Sequence, residues 1–112
     1  MKESGQELIH ELIDKQRSLE RALAEFGKRG REYAKAEKDY RVALAQKILT
    51  ERDKGTPVTI ISDICRGDES IAQLKFLRDT AEVMYQSAQE AIQAYKIEIR
   101  MIDNQIEREW KP

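Results

Sequence analysis

The chain has 112 residues, of which 37% are charged and only 6% aromatic, and a formal net charge of −1. That length fits one domain, residues 1–112, but that composition excludes a thick globular core and suits long helices that bury a narrow stripe. The near-zero net charge excludes a global polyelectrolyte signal for nucleic acid or anionic membrane.

The N-terminal residues Met1-Lys2-Glu3-Ser4-Gly5-Gln6-Glu7 are polar, with no apolar run behind them, so no signal peptide is expected. No apolar stretch approaches the roughly 20 residues needed to span a bilayer. The one cysteine, Cys65, cannot form an intramolecular disulfide. Together these predict a cytoplasmic protein with no membrane partner.

The first element is a helix over 6–53. Ile9, Gln16, Leu23, Gly30, Glu37 and Leu44 fall at one heptad position, and Leu12, Leu19, Phe26, Tyr33, Tyr40 and Lys47 at the other. Apolar residues alternating at three and four positions make a stripe along one side of a helix. Gly27-Lys28-Arg29-Gly30 is its weak point, since each glycine costs about 1 kcal/mol against alanine. The heptad phase runs through this segment, which favours a continuous helix. The alternative is a break there, giving a three-helix bundle.

A basic ridge marks the same helix. Arg17, Arg21, Lys28, Arg31, Lys35 and Lys38 occupy its two outermost heptad positions. At 1.5 Å per residue the ridge is roughly 30 Å long, enough to track a nucleic-acid backbone. Against this, Glu25, Glu32 and Asp39 follow Arg21, Lys28 and Lys35 by four residues, the spacing of ordinary salt bridges on a solvated helix.

The helix stops in a basic last turn, with Gly55 placed for a left-handed cap and Pro57 behind it. The connector, 54–67, mixes Ile60, Ile61 and Ile64 with polar residues and reads as a short helical turn ending at Gly67, also with positive φ. It is either a packed cap or a contact loop in which Ser62, Asp63 and Arg66 meet a protein or a small anion; the packed cap is the favoured reading.

Asp68 is the expected N-cap of a second long helix, 68–109, with Glu69 adding negative charge at the positive helix end. Its seam is Ile71, Leu74, Ala81, Tyr85, Ala88, Ile92, Tyr95, Ile99, Ile102 and Ile106, interrupted by Arg78 and widened by Leu77, Met84 and Ala91. Two such stretches joined by a short connector predict an all-α fold, a long antiparallel helical hairpin of coiled-coil type. A thin hairpin of this kind is expected to associate into a helical bundle.

The second helix carries a further apolar stripe opposite its seam: Phe76, Val83, Ile97 and Met101, interleaved with Thr80, Ser87 and Ala94. A helix that is apolar on two sides needs two neighbours. The stripe therefore predicts a homodimer or higher oligomer, unless the N-terminal part folds back at Gly27–Gly30 and covers it.

Catalytic and metal-binding patterns are missing. His10 is the only histidine and has no cysteine or second histidine at metal spacing, and there is no glycine-rich phosphate loop. No cofactor, no metal and no enzymatic activity are expected. Cys65 reads as a small buried apolar residue, the four tyrosines as seam packing, and Trp110 as a cover for the bundle end.

Three stretches, Tyr33-Ala34-Lys35-Ala36-Glu37-Lys38-Asp39-Tyr40-Arg41, Gly55-Thr56-Pro57-Val58-Thr59 and Ile99-Arg100-Met101-Ile102-Asp103-Asn104-Gln105-Ile106-Glu107-Arg108-Glu109-Trp110, resemble small uncharacterised helical proteins encoded by phages and prophages of Gram-positive bacteria. The resemblance covers about residues 30–110. It implies a phage accessory protein made in the bacterial cytoplasm and carries over no activity and no site residues. The leading expectation is a non-enzymatic, self-associating protein-interaction module that engages a phage or host protein, inhibition of a host factor included. The alternative is a nucleic-acid-binding accessory of phage replication or recombination that uses the basic ridge.

Overall fold

The computed structural model describes residues 5–110. The polar residues Met1–Ser4 and the closing Pro112 lie outside the described residues. Three helices follow in order: α1 (Gly5–Asp53), α2 (Val58–Gly67) and α3 (Glu69–Trp110). The all-α fold and the antiparallel course of the two long helices are as expected. So is the continuous first helix, and the alternative of a break at Gly27–Gly30 is ruled out: α1 is helical through all 49 of its residues, because the contacts made on either side of the glycines outweigh their helix-propensity cost.

The described residues form two compact units, one of residues 5–28 and 86–110, the other of residues 29–85. In the first, the N-terminal half of α1 lies against the C-terminal half of α3. Leu8, Ile92 and Ile102 are buried there, and Lys15 Nζ meets Glu98 Oε2 at 2.7 Å. The ammonium is 6.0 Å from the centre of the Tyr95 ring. Trp110 lies over Gly5, where a Cβ would fall 2.8 Å from its ring. The indole covers that helix end as expected, with most of its own surface still exposed.

In the second unit, the remainder of α1, all of α2 and the start of α3 enclose Ile61, Cys65 and Ile71. Cys65 is a small buried residue, as read from the sequence. Tyr33 and Tyr85 pack at 5.9 Å between ring centres. Gly30 sits beneath Tyr85, and a Cβ there would lie 3.1 Å from the ring. Glu37 and Arg78, polar residues at seam positions on opposite helices, face each other at 3.8 Å. The Arg78 guanidinium lies over the Tyr40 ring, 4.7 Å from its centre.

Every seam residue named for α3 is buried or half-buried. For α1 the expected column Leu12, Leu19, Phe26, Tyr33, Tyr40 and Lys47 is half-buried throughout, but the other column needs correction. In its N-terminal half Ile9, Gln16 and Leu23 are exposed, and Leu8, Lys15 and Ala22 face inward instead. From Gly30 onward the expected positions, Glu37 and Leu44 among them, are half-buried. The inward ladder steps from Ala22 to Phe26 to Gly30 to Tyr33, an eleven-residue interval that amounts to a four-residue insertion in the heptad repeat.

α1 ends in a Schellman turn. Gly55 has φ +82°, its N–H donates to the Arg52 carbonyl at 3.0 Å, and the Thr56 N–H donates to the Glu51 carbonyl at 3.1 Å. Gly67 does not behave as expected, since Gly55 is the positive-φ glycine among the described residues. Gly67 closes α2, and the chain turns at Asp68, whose backbone is extended with φ −67° and ψ 127°. Asp68 caps α3 as predicted: its Oδ1 accepts from the Ile71 N–H at 3.1 Å and from the Ser70 hydroxyl at 2.6 Å.

Candidate interaction surfaces

The outer stripe of α3 is uncovered in each unit. Phe76 is 63% exposed and Val83 59%, with Thr80 also exposed between them. In the other unit Ile97 is 54% exposed and Met101 64%, and Ser87 and Ala94 are exposed as well. The reading in which the N-terminal part folds back over this stripe therefore fails. Leu77 and Met84, expected to widen the seam, are nearly half exposed. They extend the outward apolar face instead. Large apolar side chains thus recur along the outward side of α3 in each unit.

The basic-ridge residues are all exposed: Arg17, Arg21 and Lys28 in one unit, Arg31, Lys35 and Lys38 in the other. Of the expected i,i+4 pairs, Lys35 Nζ meets Asp39 Oδ2 at 2.9 Å. That hydrogen bond holds the Asp39 carboxyl below its ordinary range and the Lys35 ammonium above its own. Arg21 donates to the Ser18 hydroxyl at 3.1 Å, and Glu32 takes Arg29 at 3.3 Å. The ridge is thus interleaved with acids and hydroxyls of its own helix.

Ser62, Asp63 and Arg66 are exposed, as a contact surface would require. They sit on a helix of ten residues rather than a loop. Ser62 and Arg66 border a shallow groove with Leu44, Ile48 and Arg52 of α1. Arg66 also borders a second groove with Ile71, Lys75 and Phe76. Of the α2 isoleucines, Ile61 alone is buried; Ile60 and Ile64 remain partly exposed, and Val58 is 77% exposed.

Sequence reasoning missed a polar cluster where α1, the turn and α3 meet. Glu51 is buried. It accepts from the Thr56 hydroxyl at 2.8 Å and pairs with Lys47 at 3.2 Å. Lys47 in turn lies 3.5 Å from Asp68. The Thr56 hydroxyl, then Lys47, hold the Glu51 carboxyl below its ordinary range against the opposing effect of burial. The Ser70 hydroxyl and the Ile71 N–H do the same for Asp68. The i,i+4 spacing of Lys47 and Glu51 was visible in the sequence; that Glu51 is enclosed by its own Schellman turn was not.

Among the described residues, no group of three or more His, Cys, Asp or Glu side chains is placed to hold a metal ion. No helix there is long and apolar enough to cross a membrane. Compared with protein families, curated proteins and solved structures, the chain matches none.

Proposed function

We propose that this chain is a non-enzymatic protein-interaction module that self-associates through the outward face of α3. The observation that carries the reading is the exposure of Phe76, Val83, Ile97 and Met101 on one continuous helix. Burying a side chain of this size stabilises by about 1.5–3 kcal/mol. A second helix laid on this face therefore offers a driving force that the isolated chain forgoes. The few fully buried side chains in each unit add to the argument, since small cores gain most from association.

The resemblance to phage and prophage proteins supports reading the assembled module as an accessory that engages a phage or host protein. Sedimentation over a concentration series tests the first half of the proposal. Association in the micromolar range, abolished by Val83→Glu, is the expected result. A parent chain that stays monomeric at high micromolar concentration would sink it. Affinity capture followed by mass spectrometry, run in parallel on the parent and on Val83→Glu, tests whether a further protein is recognised.

A further inference from the structure

We infer that the partner on the outward face of α3 is a second copy of α3 running antiparallel, with the two-fold axis level with Ala88 and Gln89. The inference rests on the self-association reading and adds its geometry. It is drawn from the register of a single continuous helix, Glu69–Trp110.

The outward positions of α3 repeat at three and four residues, so they are met in mirror order by an antiparallel copy. Centred between Ala88 and Gln89, this places Phe76 opposite Met101 of the second copy and Thr80 opposite its Ile97. Val83 then meets the small Ala94. Each layer joins a larger side chain to a slimmer or more flexible one, as close packing requires.

Charge decides the orientation. In a parallel, in-register pair the exposed Glu90 would face its own copy, two like charges at the contact. The antiparallel arrangement sets Glu90 against Ser87. On the flank, where an antiparallel pair brings together residues two places off the axial register, it sets Asp79 beside Arg100 of the second copy, about 3 Å away along the axis, and at the ends it brings Glu69 level with Arg108. Each of these opposite-charge pairs occurs twice by symmetry. A parallel pair puts Asp79 beside Met84 and Arg100 beside Gln105, with no ion pair gained. Asp79 already receives Arg78 from its own helix at 2.8 Å through one oxygen, while its other oxygen lies 3.9 Å from Lys75.

Disulfide trapping distinguishes the arrangements, with buried Cys65 left in place. Thr80→Cys and Ile97→Cys are made as separate proteins and oxidised alone and mixed. In the antiparallel pair, two Thr80 positions lie about 25 Å apart along the axis. Each variant alone should therefore stay uncrosslinked, while the mixture gives the Thr80–Ile97 heterodimer. Homodimer disulfides from each variant alone would overturn the antiparallel arrangement and leave self-association standing. A parent chain that sediments as a monomer would remove both.

Charge exchange gives a second readout without cysteines. Asp79→Arg and Arg100→Asp should each weaken association about tenfold, and the double variant should recover most of the loss. Failure of the double variant to recover would overturn the pairing.

Discussion

The Lys47 ammonium lies 3.5 Å from an Asp68 carboxylate oxygen, so the penultimate turn of α1 is tied to the residue that caps α3. Glu51 shares the same ammonium at 3.2 Å. Both carboxyl groups are held below their ordinary range by hydrogen bonds, Glu51 first by Thr56 and Asp68 first by Ser70. A carboxyl whose folded pKa is lowered contributes stability that is present above its unfolded pKa of about 4 and is lost as pH falls through the folded value. The melting temperature should therefore be insensitive to these groups from neutral pH to about 5 and decline below about 4. Thr56→Val removes the first donor to Glu51 and should flatten the decline while lowering stability at pH 7. Thermal melts at fixed protein concentration between pH 3 and 7 check both effects.

Gly55 and Gly67 are predicted to respond in opposite ways to alanine. Gly55 has positive φ with open space around it, so the cost is in the backbone: about 1 kcal/mol for Ala, and more for Val. Gly67 also faces open space, but it is helical and its φ is not positive. Alanine there should be neutral or stabilise by about 0.5 kcal/mol through its helix propensity. Denaturant melts of the two variants make the comparison, and a destabilised Gly67→Ala would contradict the turn at Asp68.

These two glycines mark how far the sequence could be read. Gly55, following a basic turn and preceding Pro57, announced its conformation. Gly67 looked equivalent, but the chain direction changes at an extended Asp68 instead, and an extended aspartate leaves no compositional mark. The α3 seam was legible because its apolar spacing is nearly unbroken. In the N-terminal half of α1 one column was legible, Leu12, Leu19 and Phe26, which are half-buried as expected; the other was not, because Leu8 and Ile9 are both apolar and adjacent, so pattern alone cannot choose between them. The correct phase passes through Lys15, which faces inward to meet Glu98, and through Ala22, a weak signal. The outer stripe of α3 was legible in full, since its exposure needs only that no third helix covers it.

Gly30 is held by Tyr85 rather than by its backbone. A Cβ at 3.1 Å from the ring requires a shift of a few tenths of an ångström, and the gain in helix propensity from alanine is about 1 kcal/mol. The two effects are comparable, so Gly30→Ala should lie within about 0.5 kcal/mol of the parent. Gly30→Val adds bulk the ring cannot clear and should destabilise. The decisive measurement is the double variant. With Tyr85→Ala present the obstruction is gone, and Gly30→Ala should then stabilise by about 1 kcal/mol. An unchanged effect in that background would show that Tyr85 does not govern the position.

The basic ridge is expected to behave as a solvated helix face. Lys35 is engaged by Asp39, and the neighbouring acids reduce the field that a phosphate backbone would meet. A fluorescence titration with single- and double-stranded DNA should give no binding at micromolar protein, even at low salt. Binding that weakens steeply with added salt, and is lost in Lys28→Glu with Arg31→Glu, would establish the ridge as a nucleic-acid surface instead.

Arg78 interrupts an apolar seam, and its surroundings account for its presence there. It faces Glu37 at 3.8 Å and covers the Tyr40 ring at 4.7 Å. A guanidinium over a half-buried ring contributes about 1 kcal/mol. Lysine keeps the charge but loses the flat contact, so Arg78→Lys should recover only part of that. Arg78→Leu leaves the Glu37 carboxylate beside an apolar side chain and should be the worst single change, even though Arg41 still pairs with Glu37 from within α1. Replacing both residues, Glu37→Leu with Arg78→Leu, removes the mismatch and should restore stability to near that of the parent. The polar pair then has its measurable role in register, because its cross-helix approach forms only when α1 and α3 meet with Glu37 level with Arg78. Hydrogen exchange along α1 reads this directly. The double variant should melt like the parent yet exchange faster around Tyr33–Leu44, and protection equal to the parent would refute a role for the pair in fixing the register.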